Sequence, residues 1–257
     1  MGVFIMVIEI IKSYVKVFPN RLGEIKEMNC GYTAEIIEYN NSDDITIKFL
    51  DTDETIKTTY CNFKKGNIKS HFSPTVYGWG IIGLENTLDE NGKILKSYRV
   101  WNSMIGRCYG EVYHKNNPNY IGCEICEEWK YYSNFKKWFN ENWYEIDEEL
   151  QLDKDLICNN LGLEKKIYSP STCLFLPKSL NTSLTNLNQK RKFSVLPSGK
   201  YRIQVKNKGF KQTYNTYEEA LKGCIGDRIL YIRNKLKSYE NKIPKYIYEQ
   251  VYNVKIK

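Results

Sequence analysis

The stretch that decides the fold is QLDKDLICNNLGLEKKIYSPSTCLFLPKSLN, residues 151–181. It predicts a short strand, a loop, a second short strand and the first turn of a helix. An acidic pair, Asp153 and Asp155, ends the first strand, and the amide of Asn181 follows the second strand. Because a hairpin brings strand ends together, these oxygen ligands could hold a divalent metal ion against a phosphate.

The composition favours a polyanionic partner. The chain has 257 residues, 38 basic against 30 acidic side chains and a formal net charge of +8. Nucleic acid is the commonest partner of such a protein, although a basic surface that only confers solubility stays an alternative. Most of the 21 tyrosines and five tryptophans are expected in the core or half-buried, and those beside Lys or Arg could stack on bases.

The eight cysteines are scattered and predict free thiols. The opening MGVFIMVIEIIKSYVKVF lacks the basic start and the cleavage site of a secretory signal, and its apolar run is shorter than the roughly 20 residues of a membrane span. We therefore expect a cytoplasmic protein without a membrane partner. Cys123 and Cys126 form one CxxC, but a structural zinc site needs four ligands, so no zinc is expected.

The chain is predicted to have three parts in an α+β fold. Residues 1–85 form a small antiparallel β module, because TAEIIEY and ITIKFL alternate around the turn NNSDD and TIKTTYCNF continues the pattern. Three lysines of this module, Lys64, Lys65 and Lys69, predict a phosphate-contacting edge. Solvated lysines on a hairpin are an equally good interpretation.

Residues 86–190 form the middle part, in which flanking helices pack on the strand–loop–strand unit. SYRVWNSMIGRCYGEVY has apolar residues at helical spacing, and a second helix begins near Ser133.

Residues 191–257 read as three strands followed by a helix from about Tyr217 to Tyr239, which begins with the capping box of Thr216 and Glu219. Tyr201, Ile203 and Val205 share one face of a strand. The other face predicts a surface for the major groove or the phosphates of DNA, formed by Lys200, Arg202, Gln204, Lys206, Lys208 and Lys211.

These segments, in this order, resemble the phage-encoded HNH homing-type endonucleases. FKKGNIKSHFSPTVYGWGIIG looks like the end of their amino-terminal β module, and YRVWNSMIGRCY with CEICEEWKYYSNFKKWF looks like their helical lead-in. LDKDL and YSPSTCLFLPKSLN are similar to their ββα hairpin and helix. GKYRIQVKNKGFKQTYNTYEEA resembles the DNA-binding domain of plant ethylene-response factors, which is often appended to HNH proteins.

The resemblance implies a role for each matching position. In that family a histidine is the general base, an asparagine orients it, and an acidic residue and a helix residue hold one metal ion. Here the base position falls on Lys154, the orienting position on Thr172, and the ligands of Mg²⁺ or Mn²⁺ on Asp153 and Asn181. An ordinary lysine is protonated at neutral pH and cannot abstract a proton.

Three interpretations of the acidic pair stay open. Asp155 could replace the missing base, or the site could be inactive on a fold kept for binding. In a purely structural interpretation, the two carboxylates lie on a turn and pair with Lys154, Lys165 or Lys166.

Two functions follow from the resemblance. The first is a phage or mobile-element, metal-dependent DNA endonuclease of HNH type, or a catalytically degenerate descendant. The second is a non-catalytic phage protein that binds nucleic acid, with double-stranded DNA as the leading candidate. As a further alternative, such a protein would bind and inhibit a host nucleoprotein defence complex, as anti-CRISPR proteins do, in the cytoplasm of a bacterial cell.

Overall fold

A computed structural model describes residues 20–185, 193–203 and 212–255 of the chain. They divide into a first unit, which ends at Thr75 and also includes Ile81–Leu84, and a second unit of Val76–Gly80 and the residues from Glu85 onward. The sequence-based boundaries after residues 85 and 190 stay a prediction.

The first unit is built on an antiparallel sheet with the strand order β1–β2–β3–β4. The two alternating segments predicted from the sequence lie on the two central strands, where Ala34 is opposite Phe49 and Ile36 is opposite Ile47. These four side chains are fully buried, which explains the alternation. The strands are β1 (Ile25–Glu27), β2 (Thr33–Asn41), β3 (Asp44–Phe49) and β4 (Thr55–Thr58).

A short helix, α1 (Tyr60–Lys65), follows the sheet where the sequence predicted a continuing strand. The side chain of Thr59 accepts a hydrogen bond from the Asn62 N–H and caps the helix, and Gly66 ends it at a φ of 70°. The prediction that TIKTTYCNF is one strand was therefore wrong after Thr58.

The second unit begins with helices packed around an aromatic core. Trp101, Trp129, Tyr132 and Phe135 are fully buried, and the indole N–H of Trp101 donates to the carbonyl of Trp129 at 2.8 Å. The helices are α2 (Lys96–Tyr109), α3 (Glu111–Asn116) and α4 (Tyr132–Asn142), with 3₁₀ turns at Pro118–Tyr120 and Glu127–Lys130. The two helices predicted here are thus present.

The 151–181 stretch forms an antiparallel strand pair followed by a helix. Strand β6 (Leu150–Asp153) pairs with β8 (Leu174–Pro177), and α6 (Lys178–Thr185) follows directly. The predicted loop between the strands contains a helix, α5 (Asp155–Leu161), which Gly162 ends at a φ of 73°. After it, β7 (Ile167–Tyr168) pairs in parallel with β5 (Glu124–Ile125).

The carboxyl-terminal part has the predicted antiparallel sheet of three strands and the long helix. The strands are β9 (Phe193–Val195), β10 (Tyr201–Ile203) and β11 (Thr213–Tyr214), in the order β11–β10–β9. Helix α7 (Tyr217–Leu236) begins with the capping box of Thr216 and Glu219 and continues as a 3₁₀ turn, Lys237–Tyr239. The last helix is α8 (Lys245–Tyr252).

Packing joins these helices to the strand pair. Leu174 and Leu176 of β8 share one buried cluster with Leu180 of α6, Ile232 of α7 and Ile247 of α8. This cluster anchors the end of β6, where the candidate site lies. In the three described ranges, no helix combines the length and apolar character needed to cross a bilayer.

Candidate functional site

Asp153 is held in place by the helix that the sequence did not predict. It is the last residue of β6, opposite Leu174, and its Oδ2 accepts the backbone N–H of Leu156 at 2.8 Å. One carboxylate oxygen therefore caps the first turn of α5.

Lys154 occupies the position that the resemblance assigns to the general base. Its side chain is 7% exposed, and its Nζ lies 2.9 Å from Asp155 Oδ1. The same ammonium is 4.9 Å from the ring centre of Tyr168 and 5.2 Å from that of Tyr120. Both distances are within the range of cation–π attraction.

These neighbours keep Lys154 protonated. Burial by itself would lower the pKa of Lys154, but Tyr168 and Asp155 outweigh burial and raise the pKa above the ordinary lysine value. Lys154 therefore cannot act as a proton acceptor at neutral pH. Its geometry instead fixes one positive charge at the end of β6.

One oxygen of Asp155 forms ion pairs with two lysines. Oδ1 lies 2.9 Å from Lys154 Nζ and 3.1 Å from Lys166 Nζ. Burial would raise the pKa of Asp155, but the charges and hydrogen bonds of these lysines hold it below its ordinary value. Asp155 is thus a poor base. Two ion pairs of the purely structural interpretation are present, while Lys165 pairs with Glu124 instead.

Asp153 has the opposite electrostatic environment. Burial, and then the negative charge of Asp155, raise the pKa of Asp153 to about 6, against the opposing effects of the Leu156 N–H, Lys154 and Lys166. Of the two neighbouring carboxylates, Asp153 is therefore the one that exchanges its proton near neutral pH.

Thr172 and Asn181 are engaged with other partners. Thr172 is buried, and its hydroxyl donates to the carbonyl of Ile167 at 2.6 Å, which stabilises the turn before β8. The Nδ2 of Asn181 donates to Gln151 Oε1 at 3.0 Å. This contact ties α6 to β6 two residues before Asp153.

The structure adds no further ligand to the metal site predicted at Asp153 and Asn181. The described part of the chain contains no group of three or more His, Cys, Asp or Glu residues placed to hold a metal ion. A site for Mg²⁺ or Mn²⁺ at Asp153 and Asn181 stays a prediction.

A pocket of about 310 Å³ opens where β6 meets α5. Asp153, Lys154 and Asp155 line it, so the structure brings these three predicted residues together. Thr172 and Asn181 are not among the lining residues. The sequence-based predictions missed part of the lining, which comes from distant segments: Asn119, Tyr120, Asn159 and Lys255. Lys166 was considered only as an ion-pair partner.

The lysines predicted to contact phosphate in the first unit are accessible. Lys64 and Lys65 end α1, Lys69 follows, and all three are exposed. The ion pairs found among the described residues of this unit use other cations, Arg21 and Lys48. His71 is held by buried Glu54, which also accepts the hydroxyl of Ser70 at 2.6 Å.

The predicted groove-facing surface is described only in part. Lys200 is exposed on the turn before β10, and Arg202 lies on that strand, half-buried. Tyr201 packs against Ala220 and Cys224 of α7, so Arg202 projects from the other face of the sheet. The remaining predicted residues lie outside the described residues: Gln204, Lys206, Lys208 and Lys211.

Comparison with known proteins identifies no relative of this chain. No protein-family model, no curated protein and no solved structure matches the chain.

Proposed function

We propose that this protein binds nucleic acid, with double-stranded DNA as the expected partner, on an HNH-like ββα scaffold that has lost its hydrolytic base. The observation that carries the proposal is the state of Lys154. A buried, protonated ammonium stands where the resemblance places a proton acceptor, and Asp155 neutralises it rather than replacing it as a base.

The distribution of charge supports a polyanionic partner. The whole chain carries a formal net charge of +8, and Lys64, Lys65 and Lys69 present exposed cations on the first unit. Lys200 adds another on the turn before β10. Cations that form no ion pair with a neighbouring carboxylate are available to contact phosphate oxygens.

A metal-dependent nuclease is the second candidate, and one observation favours it. Asp153, with a pKa raised to about 6, is a carboxylate suited to accept a proton from water near neutral pH. In this candidate Asp153, and not Asp155, is the base, so Asp153 is no longer available as the metal ligand that the resemblance assigned.

Plasmid cleavage and duplex binding separate the two candidates. Purified protein is incubated with supercoiled plasmid and Mg²⁺ or Mn²⁺, and its binding to a labelled duplex is measured by gel shift at low salt. The variants are Asp153→Asn and, as a matched control on an exposed aspartate, Asp147→Asn.

Binding without cleavage supports the proposal. Cleavage that disappears in Asp153→Asn and persists in Asp147→Asn supports the nuclease. Absence of binding at low salt contradicts both candidates and directs attention to a protein partner.

A further inference from the structure

The pocket beside Lys154 is large enough for a small ligand. Its volume of about 310 Å³ lies at the lower end of the range for small-molecule sites, about 300–1,000 Å³. Residues from distant parts of the second unit line it, from Asn119 near α3 to Lys255 after α8. Such a concave site suits a single chemical group better than the continuous backbone of a duplex.

The pocket carries more positive than negative charge. Lys154, Lys166 and Lys255 line it, against the carboxylates of Asp153 and Asp155. One oxygen of Asp155 serves two of these lysines. Lys255 is exposed and forms no ion pair within the described ranges, so its ammonium is available to an anionic ligand.

The rest of the lining is aromatic, apolar and amide-bearing. Tyr120 contributes its ring, Leu184 and Val254 contribute aliphatic surface, and Asn119 and Asn159 contribute donors and acceptors. Rings and aliphatic side chains suit the faces of a nucleobase, and amides suit its edges. A cationic end and an apolar wall in one cavity match the two ends of a nucleotide.

We propose that this pocket binds one unpaired nucleotide, with its phosphate against the lysines and its base against Tyr120 and the aliphatic wall, an inference that rests on the nucleic-acid binding proposed above. The chemical group is a nucleoside monophosphate. It is supplied either by a phosphorylated strand end or by a free nucleotide.

The test compares two labelled duplexes with a single-nucleotide 5′ overhang, one with a 5′-phosphate and one with a 5′-hydroxyl. Fluorescence anisotropy gives the Kd of each. We expect the phosphorylated duplex to bind about tenfold more tightly, because it adds charge-assisted hydrogen bonds inside a pocket. Lys255→Ala and Lys166→Ala should remove this preference and leave the affinity for the hydroxyl duplex unchanged within about twofold.

Lys93→Ala is the matched control, since Lys93 is exposed on a turn and does not line the pocket. It should retain the tenfold preference. Equal affinity of the parent protein for both duplexes, or a preference that survives in both pocket variants, overturns the inference while the proposed function stands. If neither duplex binds, the proposed function itself fails.

Competition with free dAMP distinguishes the two sources of the nucleotide. Displacement of the phosphorylated duplex, with no effect on the hydroxyl duplex, shows that a free nucleotide is sufficient. Absence of displacement, in a protein that prefers the phosphorylated duplex, shows that the nucleotide must be part of a strand.

Discussion

Replacing Asp153 by asparagine should stabilise the protein, and by more at high pH than at low pH. The carboxyl group is held at the end of β6, and its pKa is raised from 3.8 to about 6 by burial and by Asp155. Asparagine has nearly the same shape and keeps an oxygen that can accept the Leu156 N–H, so the cap on α5 is retained. Only the ionisation is removed.

The pKa difference sets the size and sign of the effect. Between pH 3.8 and about 6, folded Asp153 keeps a proton that the unfolded chain has released, so raising the pH through this range lowers the free energy of unfolding. At about 1.36 kcal/mol per pH unit, the full difference corresponds to about 3 kcal/mol. Solvent that reaches the half-buried carboxyl group reduces the expected gain to about 1–3 kcal/mol above pH 6.

Urea unfolding, followed by tryptophan fluorescence, measures this gain. The free energies of Asp153→Asn and the parent protein are compared at about pH 4.5 and 7.5, and their difference should grow by about 1–2 kcal/mol. Asp147→Asn, on an exposed aspartate, controls for the loss of one negative charge. A difference that is constant with pH, or that shrinks as the pH rises, refutes the raised pKa of Asp153.

Three further perturbations test other parts of the structure. Asp155→Asn leaves the buried ammonium of Lys154 without its carboxylate and should lower the free energy of unfolding, measured in urea, by about 1–3 kcal/mol. The double variant that also carries Lys154→Met should recover most of this loss. A double variant as unstable as Asp155→Asn would contradict the ion pair. Gly223→Ala places a Cβ about 2.1 Å from the Tyr214 hydroxyl oxygen, so the Tyr214 ring must move away from α7. The lost packing is opposed by the roughly 1 kcal/mol that alanine gains over glycine in a helix, so we expect a net loss of about 1 kcal/mol, seen as a lower Tm. A higher Tm would contradict the close contact between α7 and the sheet. Lys200→Ala should weaken binding to all duplex sequences alike and reduce the salt dependence of log Kd by about one unit; an unchanged slope would remove Lys200 from the interface.

The elements whose signals are local were predictable from the sequence. Alternation in TAEIIEY and ITIKFL identified the central hairpin of the first unit, because Ile36 and Ile47 face the same core. Thr216 and Glu219 identified the start of α7 because both halves of a capping box lie within four residues. In both cases the residues that carry the sequence signal lie within the strand pair or at the start of the helix that they predict.

Helix α5 was missed although a local signal was present. Asp153 was interpreted as a metal ligand, yet an aspartate before DLICNNLG, with glycine after the last helical residue, also satisfies the rules for a capped helix. The metal-ligand interpretation was preferred because the resemblance placed the general-base position next to Asp153, at Lys154. A chemical role inferred from a family thus concealed a capping role that the structure shows.

The pocket was not predictable, because no local pattern joins its parts. Asn119 and Lys255 are 136 positions apart in the numbering, and neither stands in a recognisable motif. Lys255 follows α8, which shares a buried cluster with Leu156 of α5. Asn119 is brought near by its neighbour Tyr120, whose ring faces the ammonium of Lys154. Only the tertiary arrangement reveals that Lys154 faces a cavity rather than the bulk core.

Two adjacent carboxylates whose pKa values move in opposite directions define what this site can do. Asp155 forms ion pairs with Lys154 and Lys166, so replacing it changes the stability of the fold and does not test whether the site hydrolyses a phosphodiester. Asp153 alone has a proton to exchange near neutral pH, and its negative charge opposes an incoming phosphate. A nuclease needs that ionised carboxylate, whereas a binding site is better without it. Asp153→Asn should therefore abolish cleavage in the first case and tighten phosphate binding in the second, so one substitution decides between the two functions.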